Sequence, residues 1–200
     1  MVLVVAATLV VALTGAMEGA GPAPSVTVRE ERGVYSVSAR FHVAQPPAVA
    51  LAVLTDYENI PRFLPDVTSS VVRERSVAHA VVEQEAVSRM MMFSKKVHLL
   101  LEITEEGNAI RFRDRSGRSF ERYEGSWRVA ARGRGSDVTY ELTAKPGFEV
   151  PDFILRRLLK RDSTRTIERL AAEITTRGTL LTTQVQRDPP LDRGNRLFVP

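Results

Sequence analysis

The polar side chains best placed to act on another molecule fall on one apolar stripe and on two neighbouring strands. At about 100° per residue, Asp162 and Thr166 lie among Leu155, Leu158, Leu159 and Leu170 of an amphipathic helix, with Ser163 at the margin. Polar groups on an apolar stripe must find partners, because burying them unpaired is costly. Either a solvated gap and hydrogen bonds to a neighbouring element satisfy them, or they meet the polar end of a bound amphiphile. Tyr123 and Trp127 share one strand face by their four-residue spacing, and Tyr140 lies on the following strand. Met90, Met91, Met92 and Phe93 add soft, adaptable surface near a strand end. If the site performs proton transfer, Asp162 and Tyr123 are its candidates.

Other chemistries find less support. The chain has no cysteine, which removes disulfides, zinc–thiolate sites and thiol catalysis. His42, His79 and His98 fall on different strands without partners at metal-ligand or triad spacing, so no metal site is expected. Glu83 and Glu85 share a strand face as many solvated pairs do, and Glu105 and Glu106 sit in a turn. Gly133 and Gly135 belong to a hairpin rather than to a phosphate-binding strand–helix junction. No catalytic constellation and no cofactor are expected. The formal charge of +4 is too small to indicate nucleic-acid binding.

The elements that would position these residues follow from pattern. Residues 1–20 read as a signal peptide or apolar leader, nearly unbroken from Val2 to Leu13 and then small. Thr14–Gly15–Ala16 and Glu18–Gly19–Ala20 are its two candidate cleavage regions, although no basic residue precedes Val2. Export to the periplasm or beyond is the expectation, with a cytoplasmic location if the leader is not a signal. A Gly/Pro spacer leads to residues 25–177, the expected folded domain. Val26, Val28 and then Val34 to Val43 alternate around a turn at Arg32–Gly33, giving one long strand or a bent pair. Pro46 and Pro47 suit the first turn of a helix whose apolar face is Val49, Val53 and Tyr57. Asp56 and Asn59 offer caps to a second short helix, which Pro61 and Pro65 keep brief.

Strand signals then run from Val67 to Ala144, with turns near Ser76, at residues 105–108, at 114–117 and at 132–135. Pro151 to about Arg177 reads as one long helix stopped by Gly178, and residues 178–200 as a disordered tail. The expected class is therefore α+β. A curved antiparallel sheet of six to seven strands wraps a long C-terminal helix, with two short helices after the first strand. A sheet bent around a helix rarely closes tightly, and the gap beneath the proline-flanked lid would be a pocket.

Several of these pieces occur in a familiar order. Leu54–Thr55–Asp56–Tyr57 with Ile60–Pro61–Arg62–Phe63–Leu64–Pro65, then Ser69–Ser70–Val71–Val72, Gly125–Ser126–Trp127, Val138–Thr139–Tyr140 and the Pro151-started helix resemble one branch of the START-like (SRPBCC, Bet v 1-type) superfamily. That branch is the bacterial polyketide cyclase/dehydrase and coenzyme-Q-binding group, and the likeness spans about residues 26–177. It implies a helix-grip fold and a hydrophobic cavity. Coenzyme-Q-binding members usually follow the second proline with Trp-Cys, where this chain has Asp66–Val67, which points away from ubiquinone.

Together these readings favour an exported, non-enzymatic binder or carrier of a lipid, isoprenoid or polyketide-like molecule. Tyr57 and Phe63 would contact it from the lid, Met91, Tyr123, Trp127 and Tyr140 from the sheet, and Leu159, Asp162 and Thr166 from the helix. A polyketide cyclase or dehydratase using the same cavity is the enzymatic alternative. A cytosolic ribosome-associated module, as in toxin relatives sharing the fold, is another. Arg156, Lys160, Arg161 and Arg165 form a basic outer helix face that would suit peripheral contact with anionic membrane.

Overall fold

The computed structural model describes residues 24–90, 93–149 and 151–187. The expected leader, Met91 and the chain beyond residue 187 lie outside these residues. β1 (Ser25–Glu31) and β2 (Val34–Val43) form a hairpin joined by Arg32 and Gly33. Both turn residues have positive φ, 53° and 76°, as a two-residue turn matched to strand twist requires. Gly33 adopts this conformation freely, whereas Arg32 does so at some cost. The apolar alternation changes phase at the turn, from the even positions Val26 and Val28 to the odd positions Tyr35, Val37, Ala39, Phe41 and Val43, which separates a hairpin from one bent strand. With this segment divided into β1 and β2, the sheet has eight strands rather than the expected six to seven.

β3 (Val67–Arg75), β4 (His79–Met90), β5 (Phe93–Glu106), β6 (Ala109–Asp114), β7 (Phe120–Arg132) and β8 (Gly135–Pro146) form an antiparallel meander. The strand order is β1-β2-β8-β7-β6-β5-β4-β3. β2 lies near one edge and β3 forms the other, so the segment joining them must cross the concave face. That segment is α1 (Pro47–Leu54), a 3₁₀ turn at Tyr57–Asn59 and α2 (Ile60–Phe63). The lid's position is thus imposed by strand order. Register shifts in β3–β4 and β7–β8 bend the sheet around it.

α3 (Asp152–Arg187) lies across β1 and β2 and against α1, touching β4 only lightly. Its N-terminus is held by the Tyr35 hydroxyl, which donates to Asp152 Oδ1 at 2.8 Å. The helix does not stop at Gly178, contrary to the sequence reading, but continues to Arg187. Gly178 instead permits close approach, since a Cβ there would lie 2.0 Å from the Gln45 side-chain oxygen. Gln45 in turn accepts a 2.7 Å hydrogen bond at its backbone oxygen from Ser136 Oγ.

The core lies between sheet and helix. Val37, Ala39, Phe41 and Val43 alternate inward from β2 and meet Ile167, Leu170 and Ile174 of α3. The convex face carries charge ladders such as Arg73–Glu83, Arg113–Glu102 and Arg111–Glu106. This outward pairing accommodates much of the arginine content within the chain.

Candidate functional site

Because α3 is seated toward the β1–β2 edge, it leaves the inner face of β5–β7 to the lid. The layers do not meet there. A cavity of about 200 Å³ remains, walled by the sheet, by α1 and α2, and by one turn of α3. An engineered apolar cavity of about 150 Å³ takes up benzene. This one therefore accommodates a small ring system or a short chain segment as it stands, and a longer ligand requires the lid to move.

Six of the nine sequence-predicted contacts line it: Tyr57, Phe63, Tyr123, Trp127, Tyr140 and Thr166. Leu159 does not; it is half-buried against the core. Asp162 does not either, and its carboxylate accepts from the Arg161 guanidinium at 2.7 Å. The difference is one of position along the helix axis. One helical turn separates Asp162 from Thr166, and the lid opening admits only the later turn. Met91 lies outside the described residues.

The sequence reading missed Phe112, Gln84 and Leu170. Phe112 was detectable, because Ile110 and Phe112 alternate with Arg111 and Arg113 and so point inward. Gln84 continues the inward series of Ala80 and Val82, but its polar side chain disguised that face. Leu170 was already on the apolar stripe.

The sheet wall is aromatic. Trp127 and Tyr140 face each other across β7 and β8 and stack with ring centres 4.2 Å apart. Phe112 from β6 lies 6.0 Å from Tyr123 and 6.4 Å from Tyr140. Gly125 makes this possible: it lies opposite Phe112, and a Cβ there would come within 2.6 Å of the Phe112 ring and 2.3 Å of the Glu141 backbone oxygen. Burial pushes the Tyr123 and Tyr140 hydroxyls up, Tyr140 well above the usual tyrosine value. Tyr57 donates to Glu105 Oε1 at 2.9 Å, and burial followed by this bond raises its pKa.

Two ion pairs fasten the lid segment to α3. Arg177 meets Asp56 at 2.6 Å and Glu173 at 2.6 Å, and its guanidinium lies 5.7 Å from the centre of the Phe63 ring. Arg165 meets Asp66 at 3.0 Å, just beyond α2. Asp56 and Asn59 make no capping bonds to α2 or to the 3₁₀ turn, contrary to expectation; Asn59 Nδ2 instead donates to Asp56 at 2.7 Å. Burial pushes the Asp56 carboxyl up, but hydrogen bonds from Asn59 and Arg177 outweigh it and leave the pKa lowered. Arg156, Arg161 and Arg165 of the proposed basic face are paired with Glu30, Asp162 and Asp66, so that face presents less unpaired charge than the sequence implied. Among the described residues, no cluster of histidines and carboxylates has metal-site geometry.

Comparison with known proteins places this architecture. The sequence matches the family described as polyketide cyclase / dehydrase and lipid transport over residues 35–175. No protein of curated function matches it. The fold resembles that of TTHA0849 from Thermus thermophilus, at 27% identity and TM-score 0.60, covering 74% of this chain and 99% of that one. A STAR-related lipid transfer protein from Xanthomonas axonopodis shares 16% identity at TM-score 0.57, covering 76% and 99%. The Zhui aromatase/cyclase from Streptomyces sp. R1128 shares 14% at TM-score 0.62, covering 72% and 95%. At those two identities the likeness is one of fold. With its helix-grip sheet, its lid and a family match across most of its length, this chain belongs to the polyketide cyclase/dehydrase and lipid transport family of the START-like superfamily.

Proposed function

We propose that this protein binds and carries an uncharged hydrophobic small molecule in the cavity beneath the lid, without transforming it. The observation that carries this reading is the make-up of the wall. It combines aromatic and aliphatic side chains with a few neutral polar groups, and among the described residues its lining includes no carboxylate, imidazole, amine or guanidinium. Affinity would come mainly from apolar burial, at about 25 cal/mol per Å². The family description includes lipid transport, and the fold is shared with a lipid transfer protein, which support the same reading. The apolar run from Val2 to Leu13 supports export, testable by sequencing the N-terminus of the mature protein.

Trp127 is the sole tryptophan and lines the cavity, so its fluorescence reports occupancy. Saturable change on titrating a non-fluorescent, neutral hydrophobe, reversed by competition, is the expected result. No change across a panel of sterols, isoprenoids and polycyclic ketones would overturn the reading.

A cyclase or dehydratase function is supported by the other half of the same family description and by the Tyr123 hydroxyl within the cavity. With its pKa raised by burial, that group holds its proton at neutral pH and would act only as an acid. Turnover abolished by Tyr123→Phe, with ligand binding retained, would establish this alternative.

A further inference from the structure

We propose that the opening turns of α3 are a docking surface for an anionic lipid bilayer, with Arg157 and Lys160 meeting lipid headgroups and Phe153 entering the interface beside them. The first support is placement. At about 100° per residue, Phe153, Arg157, Lys160 and Thr164 form one stripe within about 60° of one another. At about 1.5 Å per residue this stripe is about 16 Å long. Phe153 at its start is 75% exposed, although a phenyl ring is costly to leave in water.

The second support is which cations are free. Arg156 meets Glu30, Arg161 meets Asp162 and Arg165 meets Asp66. Among the described residues Arg157 and Lys160 have no ion-pair partner, and both are exposed. They share one depression on the helix surface with Arg161, Thr164, Arg165 and Glu168. This arrangement does not serve the helix. Arg156 and Lys160, Arg157 and Arg161, and Arg161 and Arg165 place like charges four residues apart, which destabilises a helix in water. An anionic surface laid against the stripe reverses the sign of that contribution.

The third support separates a bilayer from other polyanions. Cations beside an exposed aromatic ring suit a membrane interface, where headgroups take the charge and the acyl boundary takes the ring. Duplex nucleic acid would offer phosphates to Arg157 and Lys160 but no apolar layer to Phe153. Less than two turns after Lys160, α3 gives Thr166 to the cavity wall. Docking would therefore set the chamber beside the lipid from which a hydrophobe is drawn. The inference concerns the outer face of α3 and does not depend on what the cavity holds.

Co-sedimentation of the full chain with vesicles tests this. The protein is expected to partition onto phosphatidylcholine vesicles containing roughly one-third phosphatidylglycerol far better than onto pure phosphatidylcholine, and to lose that preference as salt is raised. The apolar run Val2 to Leu13 would contribute to both vesicles alike, so the ratio isolates charge. Arg157→Ala combined with Lys160→Ala is expected to lower the ratio on the order of thirtyfold, and Phe153→Ser to weaken binding to the anionic vesicles roughly tenfold. Because the chain has no cysteine, Phe153→Cys accepts a single environment-sensitive fluorophore. Its emission should shift to the blue on anionic vesicles, whereas the same label at Val77→Cys, fully exposed on the β3–β4 turn, should not shift. Equal partitioning onto the two vesicles, or a preference that survives the double variant, would overturn the proposal. Charge-dependent binding without a shift at Phe153→Cys, competed by duplex DNA as well as by anionic vesicles, would reassign the surface to polyanions at large and overturn the bilayer as its partner.

Discussion

Arg177→Ala should loosen the lid without unfolding the sheet. Arg177 joins Asp56 of the lid to Glu173 of its own helix, and its guanidinium stands over the Phe63 ring. The side chains of Arg177, Asp56 and Glu173 are between a quarter and a third exposed, so the network lies between the surface and buried limits. An exposed pair contributes about 0.2–1 kcal/mol. Stranding one partner of a buried pair costs about 3–5 kcal/mol. A cost of about 2 kcal/mol is therefore reasonable, equivalent to roughly a 30-fold increase in lid opening if the loss is local. Amide exchange resolved by segment is the assay. Residues 54–64 should exchange about 30-fold faster, β7 and β8 should keep their wild-type protection, and release of a bound probe should quicken similarly.

The same network predicts a pH dependence. The Asp56 pKa is lower in the folded chain than in the unfolded one, so the folded state binds fewer protons. Its contribution is complete above the ordinary aspartate value of 3.8 and disappears as pH falls through the lowered value. Normalised to β7 and β8, wild-type lid exchange should rise over that acid range, and Arg177→Ala should show a smaller rise. A uniform loss of protection across the chain, or an unchanged lid, would refute the assignment of Arg177 as its fastening.

Three further outcomes follow from single positions. Gly125→Ala should destabilise the fold by about 1–3 kcal/mol, read by urea denaturation, because the new methyl meets the Glu141 backbone and the Phe112 ring. Gly178→Ala should force the Gln45 side chain from its seat and lower the melting temperature; a C-terminal stop at this position would instead predict little effect on Gln45. Burial and the hydrogen bond to Asp152 push the Tyr35 pKa up to about 12 from 10.0, so this contribution is intact below pH 10 and lost as pH rises through about 12. Tyr35→Phe should therefore flatten the alkaline limb of the stability–pH curve, as followed by circular dichroism.

Much of the architecture was readable from residue order, because strand alternation, the paired prolines and the helical stripe are local signals. The Arg32–Gly33 turn was visible, and the change of alternation phase across it, from even to odd positions, was the signal that divides β1 from β2. Gly178 misled the reading of the helix end. Glycine marks both helix ends and close approaches, and only the position of Gln45 distinguishes them. In the cavity, Tyr123, Trp127 and Tyr140 followed from strand period, whereas Asp162 and Leu159 were assigned from a stripe longer than the opening over it. The roles of Asp56 and Arg177 could not be read, since their pairing joins residues 121 positions apart in the sequence.

The most direct test is chemical. Native-state mass spectrometry of the protein purified from its own host, followed by solvent extraction of the bound fraction, measures what the chamber holds. A discrete neutral hydrophobe bound one to one, and lost when Leu170 is replaced by Trp to fill the chamber, is the expected result. A protein recovered empty that also excludes added neutral hydrophobes, with Leu170→Trp indistinguishable from wild type, would contradict it.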